Sequence, residues 1–238
     1  GIPQLERCEL IGQLMEGKKF AVGVSGTHGK TTTTSMLAQI FMALHTDPTI
    51  HIGGELDFIG GSPRAGQGPD FLCEACEFNA SFLKFHPTVA VILNIDEDHL
   101  DFYGNIDNIE RAFAEYCALV PQDGCLVGWG EDFRVRRVME NADRPYFTYG
   151  RGPENDFHCE NLSFDRLGRP QYDFYRKKTF LCRVNLGVAG ESNLLDSMAA
   201  LSVAALRNLD MAAAAEAMAH FKGAHRRNEH TGDVDGVM

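Results

Sequence analysis

Residues 19–34 read KFAVGVSGTHGKTTTT, and this stretch decides the fold class. Its first seven residues are mostly apolar, which predicts a strand buried within a sheet. Gly26 to Lys30 predict a tight turn, and residues 31–44 repeat apolar side chains at the three- and four-residue spacing of one helix face. A turn between a buried strand and a helix gathers backbone N–H groups at the positive end of the helix dipole. The stretch therefore predicts a phosphate-binding loop.

The side chains of this loop suit a nucleotide carried with magnesium. Lys30 supplies a mobile positive charge for β- and γ-phosphates, and the Thr31 hydroxyl can bind Mg²⁺. Only the Gly-x-x-Gly-Lys-Thr core matches, because the strict Walker A spacing would need a glycine where Val24 stands. The alternative is a glycine turn with a surface lysine, which the flanking strand, the helix and the four threonines disfavour. We predict ATP and Mg²⁺ as cofactors and a nucleotide-binding set of Gly26, Thr27, His28, Gly29, Lys30, Thr31 and Thr32.

Two acidic segments follow predicted strands and could complete a metal site. Glu74 comes directly after the apolar residues 71–73. The segment NIDEDHLD, residues 94–101, begins at the carboxyl end of the strongly apolar stretch 88–95. In open α/β sheets, ligands bind at the carboxyl ends of the strands. We therefore expect Glu74 and His99 to lie beside the loop, the alternative for the acidic cluster being a solvated turn. Whether Glu77 contacts substrate or is a surface carboxylate stays open.

The rest of the pattern predicts an α/β fold, a mostly parallel sheet of P-loop type with helices on both faces. Apolar strands at 71–73, 88–95 and 124–127 alternate with a helix at 106–119. Residues 150–187 instead predict a small antiparallel β insertion, and helices return at 192–208 and 211–220. Gly53-Gly54 and residues 60–69 are typical of loops in composition.

Composition excludes several classes of function. The 238 residues contain 22 Lys and Arg against 33 Asp and Glu, a net charge of −11, which disfavours nucleic acid and anionic membranes as partners. No apolar run of membrane-spanning length and no secretory leader is visible, so we expect a cytoplasmic protein. Cys73 and Cys76 could be half a zinc site or a redox pair, but without a second pair they are better interpreted as small residues at a strand end. A GTPase would need an Asn-Lys-x-Asp element, and the sequence has none.

Five short segments, in this order, resemble the motifs of the Mur ligases, the ATP-dependent amide-forming enzymes of peptidoglycan synthesis. They are GTHGKTTT at 26–33, EACE at 74–77 with ASFL at 80–83, NI at 94–95 with DHLD at 98–101, Gly190 with Asn193 and Ala199-Ala200, and Phe221 and Gly223 with RRNE at 226–229. Folylpolyglutamate synthase and cyanophycin synthetase share the phosphate loop, but His28 and the DHLD segment argue against them. The resemblance covers nearly the whole chain.

The resemblance implies that residues 1–238 are the central ATPase domain of such a ligase. An N-terminal domain for the UDP-sugar and a C-terminal domain for the amino acid would then lie outside this chain. The implied reaction joins L-alanine to UDP-N-acetylmuramate through an acyl phosphate and releases ADP. The alternatives are a ligase that recycles muropeptides onto the same UDP-sugar acid and, more remotely, a nucleotide-binding module without ligase activity.

The resemblance also implies roles for individual residues. Lys30 would contact the transferred phosphate, Thr31 and Glu74 would hold one Mg²⁺, and His99 would bind a second divalent ion. Asn193 would meet the adenine and Arg227, with Arg226 as a weaker candidate, the nucleotide phosphates. The chain departs from the family pattern at three positions, which carry Ser192 in place of His, Asp196 in place of Asn, and Asn228 in place of Phe.

Overall fold

The computed structural model describes residues 4–56 and 59–223. Its helices are Arg7–Met15 (α1), Lys30–Ala43 (α2), Leu100–Tyr103 (α3), Ile106–Ala118 (α4), Phe133–Glu140 (α5), Glu191–Leu206 (α6) and Met211–Ala219 (α7), with a 3₁₀ segment at Phe78–Lys84. Its strands are Phe20–Ser25 (β1), Thr49–Leu56 (β2), Gly61–Arg64 (β3), Asp70–Glu74 (β4), Val89–Ile92 (β5), Cys125–Trp129 (β6), Tyr146–Gly150 (β7), Phe157–Phe164 (β8), Pro170–Arg176 (β9) and Thr179–Asn185 (β10).

The ten strands of the described residues form a single sheet in the order β10-β9-β8-β7-β6-β5-β1-β4-β2-β3. Neighbours from β2 through β4, β1, β5, β6 and β7 to β8 are parallel, whereas β2–β3, β8–β9 and β9–β10 are antiparallel. This confirms the predicted fold class. The antiparallel strands continue the main sheet through the β7–β8 pair and do not form a sheet of their own.

Helices cover both faces of the sheet because the strands bury side chains on both. Along β1, Val22 and Val24 belong to one core, and Ala21, whose side chain points to the opposite face, belongs to the other. Helices α2, α6 and α7 pack on the first face, and α1, α4 and α5 on the second. The near-continuous apolar strands predicted from sequence are thus explained by two-sided burial.

The predicted loops around Gly53 and residues 60–69 are wrong in part. Thr49–Leu56 is a strand that pairs in parallel with β4, and Gly61–Arg64 returns antiparallel to it. The glycines here are typical of loops, which is why the sequence suggested one. In the structure they lie in an irregular part of the strand, where the register shifts between His51 and Leu56. The amide of Gly53 donates to the side chain of Glu74, 2.9 Å away.

Strand β1 lies between β4 and β5 in the parallel part of the sheet, and α2 starts a short turn beyond its carboxyl end. The chain runs from β1 through α2 to β2 on one side of β1, and after β4 it passes to β5 on the other side, which opens a crevice at this edge. The turns after β4 and β5 reach the same edge, and they bring the two acidic segments to the loop after β1. None of the helices in residues 4–56 and 59–223 has the length and apolar character of a membrane span.

Candidate functional site: the loop after β1

The loop joining β1 to α2 is closely packed, and two glycines make its path possible. Gly26 has φ 146° and Gly29 has φ 86°, backbone angles that residues with a side chain rarely adopt. A Cβ at position 26 would lie 2.9 Å from the Cβ of Leu93, and one at position 29 would lie 2.4 Å from Oδ1 of Asp196. Both glycines are therefore required by conformation and by space.

Asn94, two residues after the end of β5, fixes the middle of the loop. Its Oδ1 accepts from the His28 amide at 2.8 Å, and its Nδ2 donates to the His28 carbonyl at 3.1 Å. The Thr27 amide donates to the Asn94 carbonyl at 3.1 Å, and the Asp96 amide donates to Oγ1 of Thr27 at 2.9 Å. The N–H groups of Thr27 and His28, two members of the predicted nucleotide-binding set, thus hold the loop in place.

The amides after them are differently placed. Thr33 is the first residue of α2 whose N–H donates within the helix, to the Gly29 carbonyl at 2.8 Å. The N–H groups of residues 29–32 precede it and point out of the helix N-terminus, as the first four amides of any α-helix do. With the helix dipole behind them, these four amides have the arrangement that favours binding of an anion.

The Lys30 side chain folds back over its own loop. Its ammonium donates to the carbonyls of Gly26 at 2.6 Å and Thr27 at 3.1 Å, and to Oε1 of Glu77 at 3.0 Å. Glu77 Oε2 also lies 3.0 Å from the same nitrogen, so both carboxylate oxygens approach the ammonium. The side chain of Glu77 is only 3% exposed, so this carboxylate is a buried partner of Lys30 rather than a surface group.

The next residue of the loop, Thr31, contacts a second carboxylate, that of Glu74. The Thr31 hydroxyl donates to Oε2 of Glu74 at 3.0 Å, and that oxygen also accepts from the Gly53 amide at 2.9 Å. Glu74 ends β4 beside Val24 of β1, so the parallel register brings its carboxylate to the start of α2. A hydroxyl and a carboxylate are hard oxygen ligands of the kind that Mg²⁺ prefers.

His99 lies in a second acidic group rather than directly on Glu74. One ligand atom each from Glu77, Asp98 and His99 lies within 4.8 Å of the others, and His99 Nε2 is 3.9 Å from Glu77 Oε1. His99 has a left-handed backbone, φ 49° and ψ 38°, and the Asp98 side chain accepts its amide at 2.7 Å. Glu77 therefore connects His99 to Lys30. The sequence left the role of Glu77 open, although its position three residues after Glu74 indicated that it could reach the same edge of the sheet.

Helix α6 borders the loop on the same face of the sheet as α2. Asn193 is 2% exposed, and its Nδ2 donates to the Ala189 carbonyl at 2.6 Å, so this side chain secures the start of the helix. Asp196, one turn later, accepts from Oγ1 of Thr33 at 3.1 Å. Burial raises the pKa of Asp196 to about 7.

The Mur ligase middle domain family matches residues 24–204, more than half of the chain. The chain belongs to this family. It is 43% identical over 237 residues to UDP-N-acetylmuramate–L-alanine ligase of Clostridium kluyveri, a match that covers 100% of this chain and 52% of that protein. This Mur ligase domain thus spans about half the length of the curated relatives it matches.

Solved structures agree with this placement. The UDP-N-acetylmuramate-alanine ligase of Thermotoga maritima matches the Mur ligase domain with a TM-score of 0.80 and 27% identity, over 95% of this chain and 50% of that one. The UDP-N-acetylmuramate:L-alanyl-gamma-D-glutamyl-meso-diaminopimelate ligase from Neisseria meningitides matches with a TM-score of 0.81, over 94% of this chain and 72% of that one. At 24% identity, the second comparison shows a shared fold only.

Arg226 and Arg227 lie outside the described residues of the Mur ligase domain, as do His225, Asn228 and His230. The predicted phosphate contact of Arg227 therefore stays a prediction. Cys73 is buried and Cys76 is half-buried, and burial raises the pKa of both thiols. That favours the protonated thiol over the reactive thiolate.

Proposed function

We propose that this chain binds ATP with Mg²⁺ and is the nucleotide-binding part of an ADP-forming ligase that joins L-alanine to UDP-N-acetylmuramate. The observation that carries the proposal is the pairing of two consecutive loop residues with two carboxylates, Lys30 with Glu77 and Thr31 with Glu74, beside free helix amides. The 43% identity to an alanine ligase favours that substrate pair. The use of ATP and a UDP-sugar acid fits a cytoplasmic location.

The binding of the nucleotide would rest on the first turn of α2. The amides of residues 29–32 would donate to the phosphate oxygens, and the Lys30 ammonium would turn from the carbonyls of Gly26 and Thr27 toward the transferred phosphate. Thr27 and His28 would contribute by keeping the loop shaped, because Asn94 and Asp96 already engage them.

The donor set fits a divalent cation at two places. Thr31 and Glu74 offer one pair of oxygen ligands, and Glu77, Asp98 and His99 offer a second group. When bound, Mg²⁺ supplies neutralisation of the charge that gathers on the phosphate oxygens. Glu74 is held for this role by the Gly53 amide, and Glu77 orients Lys30 between the two groups.

The proposed reaction needs no covalent bond between the protein and its substrates. The γ-phosphoryl group passes to the muramoyl carboxylate, ADP leaves, and the amine of L-alanine then attacks the acyl phosphate carbonyl and expels phosphate. Positioning and charge stabilisation dominate phosphoryl transfer, and the site consists of an ammonium, amides, oxygen ligands and one imidazole. The proposed domains for UDP-sugar and amino acid would supply the remaining contacts.

The test compares Lys30→Ala with Lys19→Ala, an exposed lysine of the same charge before β1. Calorimetry of MgATP and MgGTP binding to this chain should show ATP binding that Lys30→Ala weakens and Lys19→Ala leaves unchanged. In the protein that carries the chain, Lys30→Ala should reduce alanine-dependent phosphate release at least about 100-fold. Unchanged turnover in Lys30→Ala would refute the assignment, and turnover with an L-alanyl peptide in place of L-alanine would favour the recycling ligase.

A further inference from the structure

Asp196 is a carboxyl group at a place where a negative charge is unfavourable. Asp196 is 8% exposed, and its Oδ1 lies only 2.4 Å from the position that a Cβ of residue 29 would take. Its hydrogen bond comes from Oγ1 of Thr33, in the first turns of α2. The carboxyl group therefore touches the phosphate-binding turn from behind, through Gly29 and Thr33.

We propose that Asp196 is a positioning residue that takes up a proton when a nucleotide phosphate chain binds in the loop beside Gly29. The inference rests on the proposed function, because it needs a nucleotide at this loop. Phosphates held by the amides of residues 29–32 would bring several negative charges to the loop residues that Asp196 touches. Like charges in a poorly solvated site repel, so phosphate binding favours the neutral carboxyl.

In the free protein the pKa of Asp196 is already near neutral pH. Burial raises this pKa to about 7, while the Thr33 hydrogen bond acts in the opposite direction. In the free protein at pH 7.5 the carboxyl is partly ionised. A bound phosphate chain raises the pKa further, and the proton comes from solvent. Nucleotide affinity then decreases as pH rises, because the ionised form must first be protonated or must tolerate the repulsion.

Other titratable groups around α6 do not compete for this role. The elements packed on α6 are α2, α7, β6, β7, β8 and β9, and their titratable side chains in or against the shared core are Cys125, Tyr149, Cys159 and Tyr172. Burial raises the pKa of all four, so they stay neutral near pH 7. His158 alternates with Phe157 and Cys159 along β8, which directs it to the opposite face.

The charged groups near this end of those elements are already engaged. Lys30 on α2 pairs with Glu77. After β6, Glu131 accepts the amide of Gly152 at 3.0 Å, and Asp132 accepts the amides of Arg134 at 2.8 Å and Val135 at 3.1 Å. On α7, Glu216 is exposed and lies 3.0 Å from His220. Asp196 is thus the buried group on this face whose charge can follow nucleotide binding.

Calorimetry of MgATP binding to this chain, in buffers of different ionisation enthalpy at pH 7.5, tests the inference. Wild type should take up about half a proton more per nucleotide than Asp196→Asn, which keeps the shape and cannot titrate. Between pH 6 and 8.5, the Kd of wild type should rise about five- to tenfold relative to that of the variant. The titration of ATP itself is common to both proteins, so the difference isolates position 196.

Thr33→Val provides a second variant should Asp196→Asn not fold. It removes the hydroxyl that stabilises the ionised carboxyl, so the loss of affinity should move to higher pH. Equal proton uptake by wild type and Asp196→Asn, or an unmoved profile in Thr33→Val, would overturn the inference while leaving nucleotide binding intact. Absence of MgATP binding by wild type at every pH would instead overturn the proposed function, and the inference with it.

Discussion

The ammonium of Lys30 and the carboxylate of Glu77 lie 3.0 Å apart, joining the loop after β1 to the turn after β4. Both side chains are largely buried, and the same carboxylate lies 3.9 Å from His99. The ion pair therefore fixes the position of the Lys30 ammonium and links it to the acidic group of Glu77, Asp98 and His99. We expect loss of the Glu77 carboxylate to affect nucleotide binding and phosphoryl transfer in opposite directions.

Glu77→Gln should separate these consequences. Without the carboxylate, Lys30 is freer to meet phosphates, so MgATP affinity should stay the same or rise about threefold. Phosphoryl transfer should fall about 100-fold, because the second group of metal ligands loses its buried charge. Binding calorimetry and single-turnover ADP formation measure the two effects. Glu97→Gln, an exposed carboxylate in the neighbouring loop, is the matched control, and a parallel loss of affinity in Glu77→Gln would contradict this view.

Glu74→Gln should weaken the contribution of magnesium rather than the binding of nucleotide itself. The amide keeps an oxygen for the Thr31 hydroxyl and the Gly53 amide, but it is a neutral and poorer ligand for Mg²⁺. Titrating ATP with and without Mg²⁺ should show that the gain from the metal falls about tenfold or more. Glu55→Gln, exposed on β2, should leave that gain unchanged. An unaltered metal effect in Glu74→Gln would place the cation elsewhere.

Gly29→Ala should destabilise the domain by at least about 2 kcal/mol, because strain and collision act together. The positive φ alone costs about 1 kcal/mol, and the new Cβ would stand 2.4 Å from Asp196 Oδ1. Gly17→Ala is the control, since Gly17 has φ 75° and open space around its Cβ position, so it should show the strain alone. Urea unfolding measures both. Equal losses in the two variants would mean that Asp196 moves aside without cost.

The sheet and the loop could be predicted from sequence because each rests on local signals. Two-sided burial makes the central strands apolar throughout, and a glycine turn between strand and helix can be recognised from neighbouring residues alone. The irregular strand β2 was missed because its glycines are typical of loops, and its place depends on pairing with β4. Such pairing joins residues far apart in the chain.

Within the site, position relative to strand ends predicted Glu74 and its approach to Thr31. The buried state of Glu77 was not predictable, because it results from three segments meeting: the turn after β4, the Lys30 side chain and the Tyr103 hydroxyl, which donates to the Glu77 carbonyl. The contact of Asp196 with Gly29 joins positions separated by more than half of the chain, and only the packing of α6 on α2 creates it.

The buried state of Asp196 also makes the stability of the domain depend on pH. Its pKa is about 7 in the folded protein and close to 3.8 when exposed, so the folded state binds the proton more tightly. The stability contributed by this proton is fully present below about pH 3.8 and is lost as pH rises toward 7. Between pH 5 and pH 8, this single group should remove about 3 kcal/mol from the free energy of unfolding.

Asp196→Asn abolishes this dependence, because the amide has no proton to release at these pH values. Urea unfolding of both proteins at pH 5 and pH 8 should therefore show a variant that gains on wild type by about 3 kcal/mol at the higher pH. All other titrating groups are shared, so they cancel in the comparison. A stability difference that stays constant between the two pH values would mean that Asp196 is ionised throughout, with its charge compensated by the α2 N-terminus.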